Sequence, residues 1–336
     1  MSMLAPRGAP RPRALHPTPP LVTAPIAGDA SSSPEASPAV TLSDHRLARA
    51  CRLVLGWLAP HRAASRYFPL FGTRATPAAC DEGCLPGCAA RRSWLRLRDR
   101  TLKLGLWGDP DRQPFVLLAA SAHATDASLF ASWVEALTAA GYAVLSFERA
   151  RWPAARPAPA TLPELAQDLV AIGERFGRAD AVVGHSIGAA AAVLAMADGL
   201  EAGRLVLLSA QADPRDAVER FARRIGVGEP VERRMAAMLE ARMGVALDAL
   251  QAHRIAPAIG APALVVHDLL DDEVPWAEGE RFARHLPASR LLTTLDLGHQ
   301  GVLGDARVLR DCMRFLAGDL VGERVVSSPN LPYGVA

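Results

Sequence analysis

Past residue 93 the chain alternates short apolar runs with longer stretches in which apolar residues recur at helical spacing. The runs at 94–97 and 102–107 predict a strand pair, and Gly108-Asp109-Pro110-Asp111 predicts the turn that follows. Continuous apolar runs at 115–120, 142–147, 180–183, 205–209, 262–266 and 291–295 predict short buried strands. Between them, 129–140, 162–176, 189–197, 277–286 and 305–316 predict helices. Strands that alternate with helices imply a mostly parallel central sheet covered on both faces, an α/β architecture. The rhythm breaks at 212–256, where two or more helices rich in arginine and methionine follow the sixth strand. Met235, Met238 and Met243 in that stretch read as core, adaptable in shape because the thioether chain is unbranched.

Residues 1–40 are rich in proline, alanine and serine with no apolar period, which predicts a disordered segment. Residues 41–92 predict a helical extension that contains cysteines, 93–320 the main domain, and 321–336 a C-terminal tail. The stretch 47–58 is apolar and helical but too short, and too interrupted by Arg49 and Arg52, to span a bilayer. The head lacks the apolar core of a secretory signal, so the expected compartment is the cytoplasm. Cys80, Cys84 and Cys88 stand in a C-x3-C-x3-C cluster that three thiolates and His61 or Asp81 would need for zinc. The spacing matches no zinc knuckle, and a cytosolic setting disfavours a disulfide there, so no metal is assigned. Cys51 and Cys312 read as helix-packing residues.

Composition narrows the partners. Of 336 residues, 50% are hydrophobic and 21% charged, with a formal net charge of +2, so no broad basic field points to nucleic acid. Lys103 is the sole lysine; arginine pairs such as Arg91-Arg92 and Arg233-Arg234 read as solvated.

The candidate chemistry begins at Gly184-His185-Ser186-Ile187-Gly188, a G-x-S-x-G frame between a predicted strand and a predicted helix. A strand-to-helix turn this sharp has no room for larger side chains at the flanking glycines, and it lifts the serine oxygen clear of the sheet. Ser186 is therefore a candidate nucleophile, and His185 within the turn reads as its support. A serine hydroxyl attacks only when a base takes its proton and a third group fixes that base's tautomer. On such an elbow the order along the chain is serine, then an acid, then histidine, each after a later strand. The strand at 262–266 runs into His267-Asp268-Leu269-Leu270-Asp271-Asp272-Glu273-Val274-Pro275, and the one at 291–295 into Asp296-Leu297-Gly298-His299.

With these motifs in this order, the region from about 94 to 320 resembles the α/β-hydrolase family, and most closely its small bacterial members with His-Asp in place of His-Gly before the acid. On the family's pattern Asp271 aligns with the acid, four residues after His267 and in register with Val274-Pro275, while His299 aligns with the base. Asp213, after the strand at 205–209, is the alternative acid, since some members place it there. His267 itself reads as a packing or hydrogen-bonding residue. The resemblance implies that 212–256 is a small helical lid.

Acyl transfer also needs two N–H donors at the developing oxyanion. Ile187 supplies one, and the resemblance places the other at the amide of Ala122 or His123. Relatives carry His-Gly where this chain has Ser121-Ala122, and they carry an Asp-x-x-Gly-His-Gly-type turn where it has Glu148-Arg149-Ala150-Arg151-Trp152-Pro153. Arg149, Arg151 and Trp152 are thus candidates both for the substrate entrance and for plain surface. The expectation is a serine hydrolase acting on a carboxylic ester or thioester of a small to medium acyl group. It needs no organic cofactor and no catalytic metal, and its partner is a small-molecule acyl ester; the oligomeric state stays open. The alternatives are a hydrolase-fold protein that binds a ligand or partner without turnover, and an acyltransferase using the same triad.

Overall fold

The apolar runs that the sequence marks as buried strands form the middle of one eight-stranded sheet. The computed structural model describes residues 52–54, 56–71, 90–120, 130–149 and 160–325. The segments predicted as disordered head and C-terminal tail lie wholly or mostly outside that range. So do Cys51, Cys80, Cys84, Cys88, Ser121, Ala122, His123, Arg151 and Trp152. The strands are β1 (Arg91–Arg96), β2 (Thr101–Trp107), β3 (Phe115–Ala119), β4 (Ala143–Arg149), β5 (Ala179–His185), β6 (Ala202–Leu208), β7 (Ala263–Asp268) and β8 (Ser289–Thr294). Their order across the sheet is β1-β2-β4-β3-β5-β6-β7-β8. The two pairs that involve β2 are antiparallel and the rest are parallel, with Val116 beside Ala181, Val182 beside Leu205 and Val265 beside Leu291.

The helices are α1 (Pro60–Tyr67), α2 (Ala131–Ala139), α3 (Leu162–Phe176), α4 (Ile187–Ala197), α5 (Pro214–Ile225), α6 (Glu229–Met243), α7 (Ala252–Ile255), α8 (Trp276–His285), α9 (Gly298–Gly304) and α10 (Ala306–Ala317). The start of α3 shows why these boundaries fall where they do. Thr161 and Glu164 form a reciprocal capping box, with the Thr161 amide donating to Glu164 Oε2 at 2.6 Å, and Pro163 sits in the first turn where it removes no helical bond. The apolar stripes of α3, α4 and α8 cover one face of the sheet, and α2, α9 and α10 cover the other. A third apolar cluster joins α1, α5 and α6, with Val231 and Met235 fully buried inside it. Met235 is thus core, and Met238 and Met243 pack against core.

Continuous burial of β3 and β7, of β5 past Asp180 and of β6 past Arg204 follows from this layering, because a parallel strand with helices on both faces has no polar side. The chain leaves β3 towards β4 on one side and later returns to β5 on the other. In open α/β sheets such a reversal opens a crevice at the carboxyl ends of the strands, where ligands bind. Among the described residues no helix is long and apolar enough to cross a membrane.

Arg149, at the end of β4, is held by carboxylates from α3. Its Nε donates to Asp168 Oδ2 at 2.5 Å, and its Nη1 lies 3.3 Å from Glu164 Oε1. Arg100 takes the other oxygen of the buried Asp168 at 2.5 Å. Asp168 therefore ties the β1–β2 hairpin, through Arg100, and β4, through Arg149, to α3, and this gives Arg149 a structural duty that neither of its predicted settings contained.

Candidate active site

Ser186 stands between β5 and α4 with φ 56° and ψ −125°, a backbone conformation that only glycine adopts without strain. Its amide donates to Leu208 O at 2.9 Å, which anchors the turn to β6. The flanking glycines are explained by contact. A Cβ on Gly184 would lie 2.5 Å from Ala189 Cα, and one on Gly188 would lie 2.3 Å from Ala119 O at the end of β3. Ile187 opens α4, so its amide belongs to the first helical N–H groups, which have no acceptor within the helix. The strain at Ser186 has a measurable consequence: Ser186→Gly should raise thermal stability by about 1 kcal/mol, because relief of the strained conformation outweighs the extra chain entropy lost on folding. Calorimetric melting of the two proteins checks this, and a variant less stable than wild type would show that the backbone is unstrained.

His299 and Asp271, 28 positions apart in sequence, meet in a buried contact where His299 Nδ1 donates to Asp271 Oδ2 at 2.8 Å. In that tautomer Nε2 carries the free lone pair, as a general base requires. His299 lies in the first turn of α9, next to the elbow. The preceding residue of the nucleophile frame, His185, donates from Nε2 to His299 O at 3.0 Å, and the two rings are 4.8 Å apart. His185 thus links the turn bearing Ser186 to the loop bearing His299.

The carboxylate of Asp271 is fully engaged. Oδ1 accepts the amides of Glu273 and Val274 at 2.9 and 2.8 Å, and Oδ2 accepts from His299 with His267 Nε2 at 3.4 Å. His267 Nε2 must carry a proton, since it also donates to the carbonyl of Val274 at 2.8 Å. Burial by itself would raise the Asp271 pKa, but the hydrogen bonds from His267, His299 and the Val274 amide outweigh it and hold the group well below the usual carboxylate range. Asp271 is therefore ionised wherever His299 can act as a base.

The other acids take different places. Asp272 is exposed. Asp213 is the N-cap of α5: its Oδ1 accepts the Arg215 amide at 2.8 Å, while Oδ2 accepts Gln251 Nε2 at 2.6 Å. The alternative acid is thus spent on a helix start, and Asp271 is the one on the histidine. Asp268 carries a connection that motif alignment did not single out. Its Oδ1 accepts the Leu270 amide at 3.0 Å, and its Oδ2 accepts the Thr294 hydroxyl at 2.7 Å and the Leu297 amide at 3.1 Å. The only sequence trace of this is an acid at the end of an apolar strand, where a buried carboxylate demands partners. Ala122 and His123 lie outside the described residues, as do the three clustered cysteines. Cys312 is buried in the α10 core, and burial pushes its thiol pKa far up, which makes it inert. Among the described residues no group of three or more His, Cys, Asp or Glu side chains is placed to hold a metal ion.

No protein-family model and no curated protein matches the sequence. Solved structures do match the fold. A hydrolase from Pseudomonas aeruginosa PA01 is 22% identical with a TM-score of 0.52, covering 68% of this chain and 98% of its own. A serine hydrolase from the polyaromatic-hydrocarbon-degrading bacterium Cycloclasticus zankles is 15% identical at 0.52, covering 68% and 99%. A 2-hydroxy-6-oxo-6-phenylhexa-2,4-dienoate hydrolase from Rhodococcus sp. strain RHA1 is 14% identical at 0.50, covering 69% and 99%. Together with the strand order, the crossovers and the helices on both faces, this likeness identifies the chain as one with the α/β-hydrolase fold.

Proposed function

We propose that this protein is a serine hydrolase that cleaves a carboxylic ester or thioester through an acyl-enzyme on Ser186. The observation that carries the reading is the buried Asp271–His299 pair at 2.8 Å, linked through His185 to the turn that holds Ser186 at positive φ. The serine conformation works against stability because it costs strain, so it points to a site rather than to the fold. In the first half-reaction Ser186 Oγ adds to the acyl carbon while its proton passes to His299 Nε2. The negative charge moves to the carbonyl oxygen, where the Ile187 amide is one donor. Collapse of the tetrahedral species breaks the bond to the alkoxide or thiolate, which leaves with the proton from Nε2. Water then repeats the sequence on the acyl-enzyme and frees the acid, and Asp271 stabilises the imidazolium in both halves. The amide of Ala122 or His123 is the proposed second oxyanion donor. Residues 212–256, which form α5, α6 and α7 with their connections, are the proposed lid.

The test is labelling by a fluorophosphonate probe, read by intact mass and peptide mapping, on wild type, Ser186→Ala and His299→Ala. Wild type should gain one adduct on Ser186, and both variants should stay unlabelled while folded. A folded wild type that gains no adduct on Ser186 would sink the reading in favour of a ligand-binding protein. With substrate and an added alcohol, hydrolysis yields the free acid, whereas a new ester as the main product would assign acyl transfer.

A further inference from the structure

The end of β7 is where the chain departs from the His-Gly form of the acid motif, and the residue it carries there, Asp268, is buried. Its two oxygens face two different loops. Oδ1 holds the loop that leads to Asp271, through the Leu270 amide, and the Asp271 amide in turn donates to Asp268 O at 3.3 Å. Oδ2 holds the loop that leads to His299, through the Thr294 hydroxyl and the amide of Leu297, two residues before the histidine. The backbone adds one more tie, from the Leu269 amide to Thr294 O at 2.9 Å. Past that point each loop turns away from the sheet ladder, and Asp296 takes φ 65°. Asp268 is a buried side chain that bonds both loops at once.

We infer that Asp268 is a positioning residue that clamps the acid loop to the histidine loop and so fixes the Asp271–His299 contact. A glycine at this position supplies no such clamp. The carboxylate is suited to the task because it accepts only, and all its partners are donors. Burial would raise its pKa, but the Thr294 hydroxyl and the amides of Leu297, Gly298 and Leu270 outweigh that and lower it, so the clamp stays ionised. Its role in turnover rests on the serine-hydrolase reading; its effect on the Asp271–His299 contact does not.

The experiment uses the full chain and two readouts. One is the downfield proton resonance of the His299 Nδ1–H donated to Asp271, which needs no substrate, assigned by its loss in His299→Ala. The other is the rate of fluorophosphonate labelling at Ser186 across pH. Asp268→Gly should move or broaden the resonance and slow labelling on the order of a hundredfold, the effect of an ångström-scale misplacement of a reacting group. Thr294→Val, which keeps the carboxylate and removes a single bond, should slow labelling about fivefold and settles the matter if Asp268→Gly does not fold. Asp268→Asn should fall between them, since an amide can accept from one loop but must point a donor at the other. Folded variants with the wild-type resonance and labelling rate would overturn the inference. If wild type itself fails to label, the serine-hydrolase reading falls, and the resonance alone decides whether Asp268 sets the pair.

Discussion

Asp271→Asn should lower kcat about ten-thousand-fold with little change in KM, a loss of about 5 kcal/mol of transition-state stabilisation. The geometry gives the reason. The amides of Glu273 and Val274 both donate to Oδ1 of Asp271, so an asparagine must keep its oxygen on that side and turn its NH2 towards His299. A donor facing Nδ1 forces the ring proton onto Nε2, the atom that takes the proton of Ser186 in the proposed mechanism. The imidazole is then in the wrong tautomer, and the charge that stabilises the imidazolium is gone. Asp272→Asn is the control. That residue is exposed, and its replacement should leave kcat within about twofold of wild type. The reverse pattern would transfer the acid by one position.

A stability measurement on the same variant has a definite sign. Asp271 is depressed in the folded state, so its contribution to stability is present above its ordinary range, near pH 4, and is lost as pH falls through the lower folded value. The gap in melting temperature between wild type and Asp271→Asn should therefore close in strong acid. A gap independent of pH would mean that the carboxylate's hydrogen bonds add nothing to folding.

What could be read from the sequence follows from how local the causes are. The stretches 115–119, 181–183, 205–208 and 263–266 of β3, β5, β6 and β7 are legible because burial on both faces leaves an unbroken apolar run, and α3 is legible from the helical spacing of its apolar residues. Asp271 and His299, which the structure brings into contact, could be singled out because each follows a strand within a short motif. By contrast, α9 was not foreseen. Gly298-His299-Gln300-Gly301-Val302-Leu303-Gly304 carries glycine at three positions, and its propensity argues against a helix. Tertiary contacts override that preference: Val302 and Leu303 are buried, and the indole of Trp133 donates to Leu303 O at 3.0 Å from 170 positions away. The duties of Asp268 and Arg149 were hidden for a related reason. Apart from the Leu270 amide, the partners named for them lie 15 to 29 positions distant, and no period or motif links them.

Glu278→Ala should destabilise the protein by roughly 3–5 kcal/mol, the cost of breaking a buried ion pair from one side. The helix Trp276–His285 has the pattern of a surface element, yet Glu278 on it is buried. Its Oε2 accepts the amides of Ala212 and Asp213 at 2.7 and 2.9 Å, where the chain leaves β6, and its Oε1 accepts Arg220 Nη1 from α5 at 2.8 Å. Removing the carboxylate takes the acceptor from two amides and a guanidinium together. Burial is the largest influence on Glu278 and raises its pKa, only partly offset by Arg220 and Arg281. A raised carboxyl favours folding while protonated, so its term fades as pH climbs from the unfolded value through the folded one, opposite in sign to Asp271. Circular-dichroism melting should show a midpoint lowered by roughly 10 °C near neutral pH. Limited proteolysis should then cut first within 212–256, because three of the bonds that fix this segment to α8 are lost and only those from Arg281 to Asp213 and Asp216 remain. A midpoint within about 2 °C of wild type, or first cleavage elsewhere, would show that the segment is held by the apolar cluster of α1, α5 and α6 without help from Glu278.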